Sequence, residues 1–392
     1  MRADALSTGL APLPVTLADL LAARSIVEAA VVRTPTLRAP RLSALTGADV
    51  WVKYETFQMT ASFKERGAVV KLSRLTPEEA RRGVIAMSAG NHAQAVAYHG
   101  TRLGISTIIV MPESTPQVKV AATEAFGARV VLHGEGVGDA ELEALRIAAE
   151  EGRVFVHPYE DRDVIAGQGS IGLEMIEDGP AFDQLVVPIG GGGLISGVAL
   201  AAKGLSPATE VIGVEAALYP AMWSALKGIA RPCGGPTLAE GIAVRNVGTM
   251  TAAIIRRLVS DIVLVEETRL EQAVNALLTN QKVRQYRPAG AGQHPGARAG
   301  ARAAHRLVSA DHIGPPGHAR HDHHAAGPAR RQHPGSAPSP HLPGCSGQGH
   351  PARSDGGNPR RAARGKDPAR TGSRGPACRT VGRRWHRMVS RA

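Results

Sequence analysis

The stretch "QLVVPIGGGGLISGVAL" (residues 184–200) decides the fold. A short aliphatic run with a β-branched pair leads into four consecutive glycines, Gly190, Gly191, Gly192 and Gly193. A helix-length apolar segment opening on Leu194 follows. Backbone without side chains lets successive N–H groups converge on an anion, and the start of a helix adds the positive end of its dipole. A tight turn with close packing accounts for one or two glycines, whereas four point to a phosphate. A dinucleotide site is the alternative, with Glu215 about 20 residues on as the ribose-binding acid. The G-x-G-x-x-G pattern is not met, because counting from Gly191 and Gly193 its last position is Ser196.

Working outward, short aliphatic runs alternate with helix-length stretches. They are "GVIAMS" (83–88), "STIIVM" (106–111), "ARVVLHG" (128–134), "DQLVVPI" (183–189), "EVIGVEA" (210–216) and "DIVLVEE" (261–267). That alternation predicts an α/β fold of βαβ units with a mostly parallel, twisted sheet, and ligands at the turns beyond the strands' carboxyl ends. Two such turns carry reactive groups. In "TASFKERGA" (60–68), Lys64 follows Ser62 and Phe63. Taken alone it reads as a solvated lysine at a helix start, but in an apolar pocket its lowered pKa would make it a Schiff-base former or general base. In "MSAGNHAQ" (87–94), a strand end passes into a helix through Ser88, Ala89, Gly90, Asn91 and His92. Free N–H groups there suit a carboxylate, and Asn91 could hold a phenolic oxygen. His92 alone reads as a helix-start or packing residue.

These stretches, with "VVRTPTL" (31–37), "VIAGQGSIGLE" (164–174), "PIGGGGLISG" (188–197) and "LAEGIAV" (238–244), resemble the fold-type-II pyridoxal-phosphate enzymes. The likeness is to threonine dehydratases and the related serine dehydratases and serine racemases, and it runs from about Thr16 to Val283. It implies a tryptophan synthase β-like fold of two twisted parallel-sheet subdomains. The catalytic domain would span residues 1–283, with the smaller subdomain at about 56–160. The implied cofactor is pyridoxal 5′-phosphate. Lys64 would join it covalently, Phe63 would lie near its ring, Asn91 would bond its 3′-oxygen, Gly190 to Gly193 with Leu194 would hold its phosphate, and Gly241 would lie beside it. Ser88, Ala89, Gly90, Asn91 and His92 would take the substrate carboxylate. A freed Lys64 amine would remove the α-proton of a small hydroxy-amino acid, and loss of its β-hydroxyl would lead to 2-oxobutanoate and ammonia from threonine. Serine or hydroxyaspartate remain alternative substrates.

Two positions depart from the family's usual residues: Ala61 stands where glycine is usual, and Glu240 where aspartate is usual, both conservative in size or charge. At Ala89 the racemases carry a serine that donates a proton to the opposite face, and alanine cannot, so elimination is favoured over racemisation. A racemase-type metal site is incomplete: Glu215 is available, but Ala221 replaces the acid expected after it, and no metal is expected. A homo-oligomer is expected if the chain is intact.

Composition changes after Val283. Residues 1–283 hold 26 lysines and arginines against 30 acids, whereas residues 284–392 hold 20 against 4, together with 11 of the 15 histidines. The net charge of +12 therefore belongs to the tail, which is too poor in aliphatics to build a core and reads as a disordered segment. The family's ring-nitrogen strand is not legible there. Reading the back-translated "VRQYRPAGAGQHP" (283–295) one base later allows C-G-N-I-D-P-R-x-L-A-N-I-L, which resembles that strand. "DHIGPPGHA" (311–319) and "HLPGCSGQGH" (341–350) likewise allow segments resembling an ACT-type amino-acid-sensing domain. The expectation is a frameshift near Val283 and a catalytically impaired remnant as the alternative to a working enzyme. A basic nucleic-acid arm fits less well, since Tyr286 and Trp385 are the tail's only aromatics, and no specific nucleic-acid binding is expected. Three unpaired cysteines and the absence of an apolar leader or membrane-length run predict a soluble, cytoplasmic protein with no membrane partner.

Overall fold

The computed structural model describes residues 12–281. The expectations for residues 284–392, including the frameshift, the disordered tail and the missing ring-nitrogen strand, fall outside them. The chain enters through α1 (Leu17–Ala30), whose start is fixed by a capping box between Thr16 and Asp19. A short antiparallel ribbon follows, β1 (Thr36–Arg38) with β2 (Trp51–Lys53), interrupted by α2 (Pro40–Thr46).

The first parallel sheet is built from α3 (Lys64–Ser73), α4 (Pro77–Arg82), β3 (Val84–Met87), α5 (Asn91–Arg102), β4 (Thr107–Met111), α6 (Gln117–Glu124), β5 (Arg129–Leu132), α7 (Val137–Glu151) and β6 (Val154–Phe155). Its strand order is β5-β4-β3-β6 and every pairing is parallel. Every residue of β3 and β4 is buried, as a sheet covered on both faces requires. Val84, Ala86 and Ile109 pack with Ala93 and Val96 of α5, while Ile85, Ile108 and Val110 pack with Ala140 and Ala144 of α7. This sheet falls within the span proposed for the smaller subdomain.

Next come α8 (Arg162–Asp178), β7 (Gln184–Pro188), α9 (Gly193–Leu205), β8 (Glu210–Ala216), α10 (Ala221–Lys227), α11 (Thr249–Leu258), β9 (Asp261–Val265) and α12 (Glu267–Gln281). The second sheet, β7-β8-β9, is also parallel. All six strands expected from the aliphatic runs are present. The ribbon and β6 were not anticipated, because two or three residues carry no readable alternation.

Helix α8 is the joint of the molecule, and its glycines explain why. Between α3 and α8, a Cβ on Gly167 would overlap the carbonyl of Arg66, and between α8 and α9 a Cβ on Gly197 would lie 2.5 Å from the Gly169 nitrogen. Three helices therefore touch backbone to backbone. The two sheets' βα turns, and the start of α3, are positioned by that contact. Among the described residues no helix is long and apolar enough to cross a membrane.

Candidate active site

Lys64 is the first residue of α3, and its backbone N–H bonds the Ser62 hydroxyl at 3.3 Å. Its Nζ donates to the Pro158 carbonyl at 2.8 Å and lies 5.4 Å from the centre of the Phe63 ring. Among the described residues no carboxylate pairs with it, so burial acts unopposed and lowers its pKa to about 8. Phe63 itself packs against the cluster that contains Ile189 and Ile195.

The turn leading to Lys64 carries a backbone cost that the size of Ala61 does not reveal. Ala61 has φ of 55°, the one non-glycine residue with positive φ among those described. A left-handed residue with a Cβ costs about 1–2 kcal/mol, so alanine for glycine here is conservative in size but not in backbone freedom. The turn is held in that shape by Glu65, fully buried, whose carboxylate accepts from the Thr60 N–H. Ala61→Gly is expected to raise the unfolding free energy by about 0.5–1 kcal/mol, the relief of strain exceeding the added freedom of the unfolded chain. A urea midpoint at or below that of the wild type would show that the Ala61 methyl contributes more by packing than it costs in strain.

At the second turn Ser88 accepts from the Gly90 N–H at 3.1 Å, and Gly90 precedes α5. Asn91 is exposed at the first position of that helix. His92 is buried, with Nε2 2.9 Å from the Val156 carbonyl. Burial first, and the Lys64 charge second, push its pKa down to about 3. Its imidazole is thus neutral and committed to packing, and what His92 can offer a ligand is its backbone N–H. The Lys64 charge also depresses His157, after burial. These couplings bring the starts of α3 and α5 and the segment after β6 to one locus.

The glycine loop runs from β7 into α9. Gly192, the N-cap, has φ of 94°, a conformation that needs glycine. The helix start leaves the N–H groups of Gly193, Leu194 and Ile195 without intrahelical acceptors. Gly190 lies against Ile242 and Val244, so the 240s loop borders the glycines, while Gly241 has open space where a side chain would stand. The adjoining Glu240 pairs with Lys119 of α6 at 2.7 Å.

Glu215 is engaged by the backbone of the next helix. It is buried, and its two carboxylate oxygens accept from the Met222 and Trp223 N–H groups at 2.8 and 2.9 Å, at the start of α10. Burial raises its pKa to about 7. No group of three or more His, Cys, Asp or Glu able to hold a metal occurs among the described residues.

One contributor escaped the sequence reading. The strap His157 to Glu160, between β6 and α8, supplies the Lys64 acceptor, and its Tyr159 stands with its ring against Gly191 and its Cα and Cβ against Gly193. The available signal was "HPYED" (157–161), an aromatic and an acid pair directly after the short apolar segment Val154 to Val156.

A desolvated lysine without a carboxylate, a helix-start turn for a carboxylate and a glycine cradle with unsatisfied N–H groups fit a phosphorylated aldehyde cofactor. The sequence matches the family described as pyridoxal-phosphate dependent enzyme over residues 27–308, and the chain belongs to that family. The match runs past Val283, where the composition changes.

Within the family the chain is similar to an L-threonine ammonia-lyase of Thermotoga maritima, 45% identical over 271 residues, covering 69% of this chain and 68% of that protein. Among solved structures it is similar to the processed form of threonine deaminase isoform 2 from Solanum lycopersicum. The TM-score is 0.65 at 38% identity, over 68% of this chain and 74% of that one. It is also similar to maize serine racemase, with a TM-score of 0.66 at 32% identity, over 69% and 82% of the two chains. The fold is therefore that of the fold-type-II pyridoxal-phosphate enzymes.

Proposed function

We propose that this protein is a threonine ammonia-lyase, converting L-threonine to 2-oxobutanoate and ammonia with pyridoxal 5′-phosphate. The observation that carries the reading is Lys64, a lysine brought to about pKa 8 by burial, with a backbone carbonyl and no carboxylate as its hydrogen-bond partner among the described residues. About one in ten such amines is neutral at pH 7 and half at pH 8, far more than for an ordinary lysine, and the neutral form can both attach to an aldehyde and accept a proton. When bound, the cofactor supplies that aldehyde and a ring system that takes up the electrons of a broken Cα–H bond.

The chain's own groups divide the remaining work. Gly190 to Leu194 hold the phosphate through backbone N–H groups at the start of α9. Asn91 bonds the ring's phenolic oxygen, Phe63 lies near the ring, and Gly241 leaves space beside it. The turn from Ser88 to His92 binds the substrate carboxylate through N–H groups at the start of α5. Lys64 Nζ removes the α-proton, and the β-hydroxyl then leaves with a proton. Ala89 offers no acid on the opposite face, so the α-carbon is not reprotonated there.

Incubation with cofactor and L-threonine is expected to release 2-oxobutanoate and ammonia in equal amounts. L-serine should give pyruvate with negligible D-serine. D-serine formed at rates rivalling ketoacid release would overturn elimination as the main reaction. The composition after Val283 favours a second reading, a scaffold that binds cofactor without turnover. A yellow protein that releases no ketoacid would decide for it.

A further inference from the structure

The strap after β6 does more than accept a bond from Lys64. His157 Nδ1 accepts from the N–H groups of Tyr159 and Glu160, at 3.3 and 2.9 Å, which folds the strap into a compact turn. Tyr159 then lies with its ring where a Cβ on Gly191 would be, and its hydroxyl donates to the Asn246 carbonyl at 2.8 Å. Glu160 reaches the start of α11. Its carboxylate accepts from the Thr249 hydroxyl at 3.0 Å and from the N–H groups of Met250 and Thr251 at 2.5 and 3.2 Å. That same carboxylate lies directly against Gly248, where a side chain would displace it. Thr251, fully buried, donates its hydroxyl to the Gly191 carbonyl at 2.8 Å.

Gly191 is thus clamped, with an aromatic ring against its α-carbon and a hydroxyl on its carbonyl. In a planar trans peptide the carbonyl of Gly191 and the N–H of Gly192 point in opposite directions. Fixing the first therefore aims the second. The Gly192 N–H belongs to the loop whose free donors would meet a phosphate. We propose that Glu160 and Thr251 are positioning residues that aim the glycine loop's N–H groups at the cofactor phosphate, Glu160 acting through Thr251. The proposal rests on the cofactor reading above.

Charge and geometry make opposite predictions for Glu160, which makes the idea testable. If the carboxylate mattered only as a negative charge near an anion site, Glu160→Gln would tighten phosphate binding. If it positions the loop, the amide, which can accept on one atom only, leaves N–H groups of α11 unmatched and the clamp loosens. Thr251→Val keeps the shape of the side chain and removes the hydroxyl that donates to Gly191, together with its longer contact to the Gly248 carbonyl at 3.2 Å.

The measurement is the dissociation constant for pyridoxal 5′-phosphate and, separately, for pyridoxal, which lacks the phosphate, each read by absorbance. Thermal melting of each variant is measured alongside. An N-cap interaction is worth about tenfold in an equilibrium. Both variants are expected to lose about tenfold of the affinity advantage that the phosphate confers, with pyridoxal binding little changed. The proposal is overturned if the advantage is kept or enlarged in Glu160→Gln, or if both ligands weaken equally, as a general loss of structure would produce. If Glu160→Gln does not fold, Thr251→Val alone decides by the same ratio. A wild-type protein that binds neither compound would instead refute the cofactor reading itself.

Discussion

Lys64→Ala protein, mixed with pyridoxal 5′-phosphate and treated with borohydride, is expected to carry no fixed chromophore, whereas the wild type should yield one labelled peptide containing Lys64. The same substitution should lower ketoacid release by at least about a hundredfold, the lower end of what general-base assistance supplies. Loss of the covalent anchor adds to this. The pH dependence follows from the burial of the amine. Its folded pKa of about 8 lies below the ordinary lysine value of 10.5. Cofactor capture should therefore rise with pH and level off above about 8, not climb to 10.5. By linkage, the stability tied to this neutral amine is complete above about 10.5 and is lost as pH falls through about 8. A midpoint near 10 for capture by the wild type, or a borohydride-fixed label persisting in Lys64→Ala, would remove Lys64 from the assigned role.

How far the sequence went, and where it stopped, has physical reasons. Parallel strands buried on both faces are written as unbroken aliphatic runs, and "GVIAMS" and "STIIVM" announced β3 and β4 for that reason. Gly190 to Gly193 announced a cradle because no other residue leaves backbone so open. The shape of the turn before Lys64 was not legible, since the φ of Ala61 depends on the buried Glu65 reaching back to Thr60. The clamp on Gly191 was hidden more deeply. It joins Glu160 to α11 across some 90 residues and Thr251 to Gly191 across 60, and no local pattern encodes such a pairing. Glu215 was legible as an acid at a strand end but not as the carboxylate that receives α10.

The same distance in sequence hides the largest electrostatic commitment among the described residues. Arg66, with no exposed side-chain surface, is two residues past Lys64 on α3. It donates to Glu174 of α8 at 2.6 and 2.9 Å and to Glu55 at 2.8 Å through both Nε and Nη2. Lys53 of β2 adds a bond to Glu174 at 2.5 Å and one to the Thr34 carbonyl at 2.7 Å. Two cations thus balance two carboxylates inside the protein, joining β2, α3 and α8.

Glu174→Ala would leave Arg66 and Lys53 with one carboxylate between them. Breaking a buried pair from one side costs about 3–5 kcal/mol, because the orphaned charge cannot recover its water. The expected result is a fall of that size in unfolding free energy at neutral pH, read from the urea midpoint at an unchanged denaturant slope. Part of the loss should recover at higher pH. Burial, the largest influence on Lys53, already lowers its pKa, so without Glu174 its amine sheds the proton more readily and the excess charge disappears.

Replacing Lys53 by methionine together with Glu174 by leucine removes one charge of each sign. That pair should regain much of the stability, since a buried ion pair adds little over an apolar one of similar volume. Because Arg66 shares a helix turn with Lys64, cofactor capture should weaken in Glu174→Ala and return in the double variant. A loss below about 1 kcal/mol in the single variant, a value typical of exposed pairs, would mean that solvent reaches the network and screens it.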